Sequence, residues 1–222
     1  SEKGQCDCKY KIVPLELIHS KIVYEVKSET DTKFKTGDGI ITDNNLLVPV
    51  VTVADCVPVF LYDNVKNIFA VVHSGWKGTG IIGNAIKIAV EKFGSKKEDI
   101  CIAIGPHICQ DCYCIDKERK NYFTENFGNC VRKKINGNVK TTSDGKLLEY
   151  SLSLTDANLY VIEKSGIPLN NVVVARDCTC CSVFSDGEYV FGSFRRQSAF
   201  LPMETSPDEK SKKMCVQAAF IV

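Results

Sequence analysis

Around residue 73 the chain changes period. Residues 68–72, Ile-Phe-Ala-Val-Val, form an apolar run of strand length; beyond His-Ser-Gly-Trp-Lys-Gly-Thr-Gly, residues Ile82, Ala85, Ile86, Ala89 and Phe93 recur at helical spacing. A buried strand must therefore pass through glycines into an amphipathic helix, with Thr79 as the expected N-cap and Gly94 as the stop. Comparable β-branched runs at 22–26, 46–53, 57–62 and 101–105 predict further strands, and Tyr-Asp-Asn-Val-Lys-Asn (62–67) reads as a hairpin connection. Strands are also expected near 147–150 and at 171–175, 189–194 and 216–222. Helices are expected from about Asp116 to Phe127 and from Ser153 to the stop at Gly166-Ile167-Pro168. Residues 28–39 and 203–213 are polar, the second read as a flexible surface loop.

Strands interleaved with about three helices exclude a bundle and a pure barrel. They predict an α+β fold, a mixed α/β sandwich in which mixed β-sheets are flanked by helices. At 222 residues the expectation is one domain, residues 1–222, able to bury a full core without staples. The 28 Lys and Arg against 27 Asp and Glu leave a net charge of +1, which offers no electrostatic footprint for nucleic acid or an anionic membrane. No apolar run approaches the roughly 20 residues of a membrane span, and the polar start is unlike the core of a signal peptide. A cytoplasmic protein is the expectation. Its twelve cysteines then read as reduced thiols rather than a disulfide framework.

The chain has three histidines, His19, His73 and His107. Asp55-Cys56 lies in the turn between two predicted strands and His73 ends the next strand, so strand pairing could bring Cys56 and His73 together. A thiol beside an imidazole is an activated nucleophile, a pair of metal ligands, or ordinary packing. Lys77, Arg195 and Arg196 have ordinary surface charge as their plain reading. Asp38, between Gly37 and Gly39, is an acidic partner or a turn residue. Gly75 and Gly78 permit a tight strand-to-helix passage, and the helix start beyond them could receive an anion. Trp76 reads as a packing anchor and His107 as structural.

The strings Thr-Val-Ala-Asp-Cys-Val-Pro-Val (52–59) and Val-Val-His-Ser-Gly-Trp-Lys-Gly-Thr-Gly (71–80) are followed by Ala-Ile-Gly-Pro-His-Ile-Cys-Gln-Asp-Cys-Tyr (103–113), Arg-Asp-Cys-Thr and Phe-Gly-Ser-Phe-Arg-Arg. In that order they resemble the YfiH-like family, long called multicopper polyphenol oxidases or laccases and better described as purine nucleoside phosphorylases with adenosine deaminase activity. The resemblance implies a fold shared with deamidase toxins and a zinc ion held by His19, Cys56 and His73. Three protein ligands leave a fourth position open, as in catalytic zinc sites. It also implies Asp38, Cys56 and His73 as the catalytic group, purine nucleoside and phosphate as substrates, and Lys77, Arg195 and Arg196 as the candidate cations for a phosphate or purine contact. A multicopper site is excluded by the shortage of imidazoles.

The chain departs from the family pattern in three places. Only 18 residues precede His19 where the family has a longer arm, Leu17 replaces a glutamine, and Cys215-Val216 stands where Gly-Arg is usual. Two other readings stay open. One is a metal-free hydrolase or deamidase with Cys56 as nucleophile, His73 as base and Asp55 or Asp38 as orienter. The other is a non-enzymatic module in which Cys109, Cys112, Cys114, Cys178, Cys180 and Cys181 hold a structural zinc. The nucleobase-deaminase signature is incomplete, since no His-x-Glu accompanies the Cys-x-x-Cys at 109–112. The oligomeric state is left open.

Overall fold

The computed structural model describes residues 9–134, 140–141, 145–202 and 205–222. Its strands are β1 (Lys11–Val13), β2 (Val23–Glu25), β3 (Gly39–Thr42), β4 (Leu47–Val53), β5 (Val57–Asp63), β6 (Ile68–Ser74), β7 (Ile100–Ile104), β8 (Cys114–Ile115), β9 (Val131–Lys133), β10 (Lys140–Thr141), β11 (Leu147–Leu148), β12 (Tyr150–Leu152), β13 (Val172–Val174) and β14 (Gln217–Phe220). Its helices are α1 (Ile81–Phe93), α2 (Lys117–Phe127), α3 (Leu154–Lys164), α4 (Phe194–Ser198) and α5 (Pro207–Lys212). The expected α+β architecture of mixed sheets flanked by helices is present, with the three predicted helices as its long ones.

The central sheet has six strands in the order β13-β7-β5-β6-β3-β2. β5 and β6 form the expected hairpin, closed by Asp63 Oδ1, which accepts from the N–H groups of Val65 and Lys66. Every residue of β6 is buried, because both faces of the sheet are covered. Ala70 and Val72 face one side with Val59 and Leu61, where Ile81, Ile82, Ala85 and Ile86 of α1 close over them. Burying each such aliphatic side chain contributes about 1.5–3 kcal/mol. Val71, one position out of phase, packs on the other face against Val51 of β4 and Ala219 of β14, which belong with β1 to a three-stranded sheet. The layers are thus helices, large sheet, small sheet.

Local chemistry differs from expectation in three places. Gly80, not Thr79, takes the N-cap of α1, with φ at 95°, while the Thr79 hydroxyl donates to the Gly75 carbonyl. The strand expected at 189–194 is absent: Ser193 accepts from the Arg196 N–H and caps α4, so its capping chemistry outweighs the β-propensity of Tyr-Val-Phe. Within 203–213, read as a loop, residues 207–212 form α5; Met203 and Glu204 lie outside the described residues. Conversely β3, buried along its length, was hidden at the end of a polar run. No described helix is long and apolar enough to cross a membrane.

Candidate active site

At one end of the central sheet three segments converge on β6. The strand runs to Ser74, which places His73 in the ladder opposite Pro58 and brings Cys56, just before β5, alongside it. Asp55, with φ at 82°, makes the reversal that presents Cys56. On the other flank of β6, Asp38 directly precedes β3, and its carbonyl accepts from the His73 N–H at 2.7 Å. The strand missed in the sequence is therefore what puts Asp38 beside His73.

Asp38 is fully buried and organises the site. Its Oδ1 accepts from the His19 N–H at 2.9 Å and meets His73 Nδ1 at 2.8 Å. Its Oδ2 accepts from the Ser20 N–H at 2.5 Å and the Ser20 hydroxyl at 2.7 Å. Burial raises the Asp38 carboxyl, but the hydrogen bonds from His73 and Ser20 outweigh it and hold its pKa at about 2. An ionised Asp38 places the proton of His73 on Nδ1, which aims Nε2 at the remaining donors. Burial lowers the His73 imidazole, yet Asp38 and Cys56 raise it to about 9. Burial likewise raises the Cys56 thiol, and contacts with His19 and His73 bring it down to about 7. Thiolate and imidazolium thus favour one another.

One ligand atom each from His19, Cys56 and His73 lies within 4.8 Å of the others. The convergence depends on Gly75, where a Cβ would stand 2.8 Å from His19 Cδ2 and 3.1 Å from Cys56 Sγ. A Cβ at Gly78 would stand 2.6 Å from the Ser20 carbonyl oxygen, which belongs to the same His19 loop. Both glycines serve close approach, not a left-handed backbone. Two imidazoles and a thiolate, one imidazole oriented by a buried carboxylate, form a donor set that fits Zn²⁺ with one position to spare.

The three donors line a cavity of about 880 Å³ together with Lys77, Trp76, Arg119, Tyr113 and Arg195. Trp76 is both packing anchor and cavity wall: its edge meets Tyr122, while the Arg119 guanidinium lies 4.6 Å and Lys77 Nζ 5.5 Å from its ring. The Arg195 guanidinium stands 5.2 Å from the Tyr113 ring, and the Arg195 backbone N–H donates to Asp55 Oδ2 at 2.6 Å. Asp55 Oδ1 accepts from the Thr179 hydroxyl at 2.7 Å. Of the three predicted cations, Lys77 and Arg195 reach the cavity and Arg196 does not. The Arg196 guanidinium donates instead to the carbonyls of Thr179, Cys180 and Phe191. No residue from 78 to 81 lines the cavity, so the α1 N-terminus is not part of its wall. His107 is committed to Gly105 and Thr155, both at 2.8 Å, with burial holding its pKa down.

Arg119 and Tyr113 were missed as cavity residues. Tyr113 ends the Cys-rich string at 103–113, its one signal in the sequence. Arg119 sits in a helix with a polar composition, and only the fold brings that helix over Trp76.

A purine nucleoside phosphorylase of Clostridium acetobutylicum is 37% identical over 186 residues, covering 82% of this chain and 70% of the relative. An adenosine deaminase from an unknown prokaryotic organism is 32% identical over 159 residues, covering 69% of this chain and 56% of that protein. Among solved structures, the hypothetical protein YfiH of Bacillus licheniformis superposes with a TM-score of 0.69 at 26% identity, over 94% of this chain and 73% of its own. With residues 3–200 matched by its model, the chain belongs to the family described as multi-copper polyphenol oxidoreductase laccase.

Proposed function

We propose that this chain is a zinc-dependent enzyme acting on purine nucleosides, by phosphorolysis of the glycosidic bond together with adenosine deamination. One observation carries the reading: His19, Cys56 and His73 converge in a cavity whose wall also holds Lys77, Arg119 and Arg195. The names of the relatives in Clostridium acetobutylicum and in the unknown prokaryote supply the two reactions. The family's copper description does not suit these residues. Both nitrogens of His107 are committed elsewhere, so two imidazoles and a thiolate remain, too few nitrogens for a copper cluster.

His19, Cys56 and His73 would hold zinc, and when bound it supplies Lewis acidity for polarising a purine substituent or activating water. Asp38 fixes the His73 tautomer and anchors the His19 loop, so both rings are oriented before substrate arrives. Arg195 and Lys77 offer charge-assisted hydrogen bonds to phosphate oxygens. Trp76 brings an aromatic surface to the cavity wall for the planar base, with Arg119 and Lys77 beside its ring. Asp55 keeps the Arg195 backbone in place through its carboxylate.

The test is to incubate the purified chain with adenosine, inosine and methylthioadenosine, with and without phosphate, and to follow products by chromatography. The expected results are release of free base that depends on phosphate, and conversion of adenosine to inosine that needs water alone. Release that ignores phosphate, or no turnover with zinc bound, overturns the phosphorylase reading. The Asp38–His73–Cys56 alignment also fits a metal-free thiol hydrolase or deamidase. Activity that survives zinc removal and is trapped by a thiol alkylator selects it.

A further inference from the structure

The six cysteines of the segments 109–114 and 178–181 separate into two groups once folded. The sulfurs of Cys109, Cys112, Cys178 and Cys181 all lie within 4.8 Å of one another. Cys114 points elsewhere and accepts from Lys134 Nζ at 2.8 Å, and Cys180 packs against the main core. What remains is a pair of Cys-x-x-Cys segments, the second carrying Cys180 between its ligands. They follow β7 and β13, which pair in parallel, so the chain enters both segments from the same end of the sheet. A bridge between His107 and Cys178 ties them, with the Thr179 N–H donating to the His107 carbonyl at 3.1 Å.

We propose that Cys109, Cys112, Cys178 and Cys181 bind a structural zinc ion, separate from the group formed by His19, Cys56 and His73. A tetrathiolate tetrahedron with Zn–S bonds of about 2.3 Å has edges of about 3.8 Å, and Cys109 and Cys181 already stand 4.0 Å apart. Cys178 Sγ accepts N–H bonds from Cys109 at 3.2 Å and Cys180 at 3.3 Å, as an anionic, metal-bound sulfur does. All four positions are filled by protein, so the site is closed, and none of the four cysteines lines the cavity.

Its role is to pin a cavity wall. Thr179, between Cys178 and Cys181, holds Asp55, which holds the Arg195 backbone. The carbonyls of Thr179 and Cys180 are gripped by Arg196. Tyr113, next to Cys112, faces Arg195. The metal thus fixes the Arg195 side of the cavity without touching substrate.

The full chain is purified under reducing conditions, and zinc is counted by plasma mass spectrometry. The wild type is expected to hold two zinc ions, and His19→Ala/His73→Ala to hold one. X-ray absorption of that variant should show a shell of sulfur alone, at about 2.3 Å. In the wild type, the four thiols should resist maleimide until a chelator is added, a readout that needs no cysteine variant to fold. The proposal falls if the His19→Ala/His73→Ala chain holds no zinc, if its shell contains nitrogen, if the metal is iron, or if Cys109 and Cys181 prove to be disulfide-bonded. A wild type with one zinc ion, lost in that variant, refutes the second site and leaves the proposed function standing. Zinc kept only by the four cysteines does the reverse.

Discussion

Among the described residues soft donors meet in two places, and these are built on opposite plans. His19, Cys56 and His73 come from three separate stretches, and the sheet register assembles them. Cys109, Cys112, Cys178 and Cys181 come from a pair of short repeats in loops beyond parallel strands. The first group mixes nitrogen with sulfur, offers three donors where a tetrahedral ion takes four, and opens on the cavity. The second is all sulfur, complete, and turned away from the cavity. Chemistry needs an open position held rigidly by its surroundings, whereas a clamp needs four ligands and little else. The difference predicts that damage around the first site spares the second.

Asp38→Ala is the most severe break. It strands the His73 ring nitrogen, the His19 and Ser20 N–H groups and the Ser20 hydroxyl in a buried place. Breaking one member of a buried charged network costs about 3–5 kcal/mol, to be read from urea unfolding. Zinc at the four cysteines should persist in the folded fraction while turnover disappears. A loss under about 1 kcal/mol, with the metal content unchanged, would deny Asp38 its organising role.

Gly75→Ala should cost less, about 1–3 kcal/mol, as overpacking does. Its methyl group would press on His19 Cδ2 and Cys56 Sγ together and so move two donors at once. Zinc affinity at that site should fall about 10- to 100-fold, the range seen when a ligand's support is disturbed. Competition with a chromophoric chelator measures it, and the four-cysteine zinc serves as the internal control. Equal weakening at both sites would mean the change is global.

The two sites also differ in how visible they were in the sequence. The hairpin of β5 and β6 and the start of α1 showed through because apolar runs and a change of period are local signals. Cys56 and His73 could be paired from that hairpin, but His19 entered only by resemblance. The loop before β2 reaches them through Asp38, whose strand β3 was masked by the polar stretch before it. The Cys-x-x-Cys at 109–112 was plain, while Cys180 obscured the matching spacing of Cys178 and Cys181. Arg119 on α2 was hardest, because helix placement over Trp76 is a tertiary fact; Arg195 on α4 was named as a candidate cation, but not its place beside Tyr113. The strand expected at 189–194 failed for a local reason: Ser193 caps a helix.

Arg195 and Arg196 carry the comparison down to adjacent residues, one facing the cavity and one holding its wall. Arg196→Met removes the donors to three carbonyls, of Thr179, Cys180 and Phe191, and should cost about 1–3 kcal/mol for the acceptors left unpaired. Because Thr179 holds Asp55, kcat and KM should both worsen in that variant. Arg195→Met is the smallest change in stability, within about 0.5 kcal/mol, since its structural bond is made by the backbone N–H that methionine retains. Its loss should appear in KM for phosphate, raised about tenfold or more, as expected for one charge-assisted contact. Phosphate-dependence curves for both variants, beside their urea midpoints, separate the roles. If Arg195→Met leaves KM for phosphate unchanged, the anion is bound on the Lys77 and Arg119 side of the cavity instead.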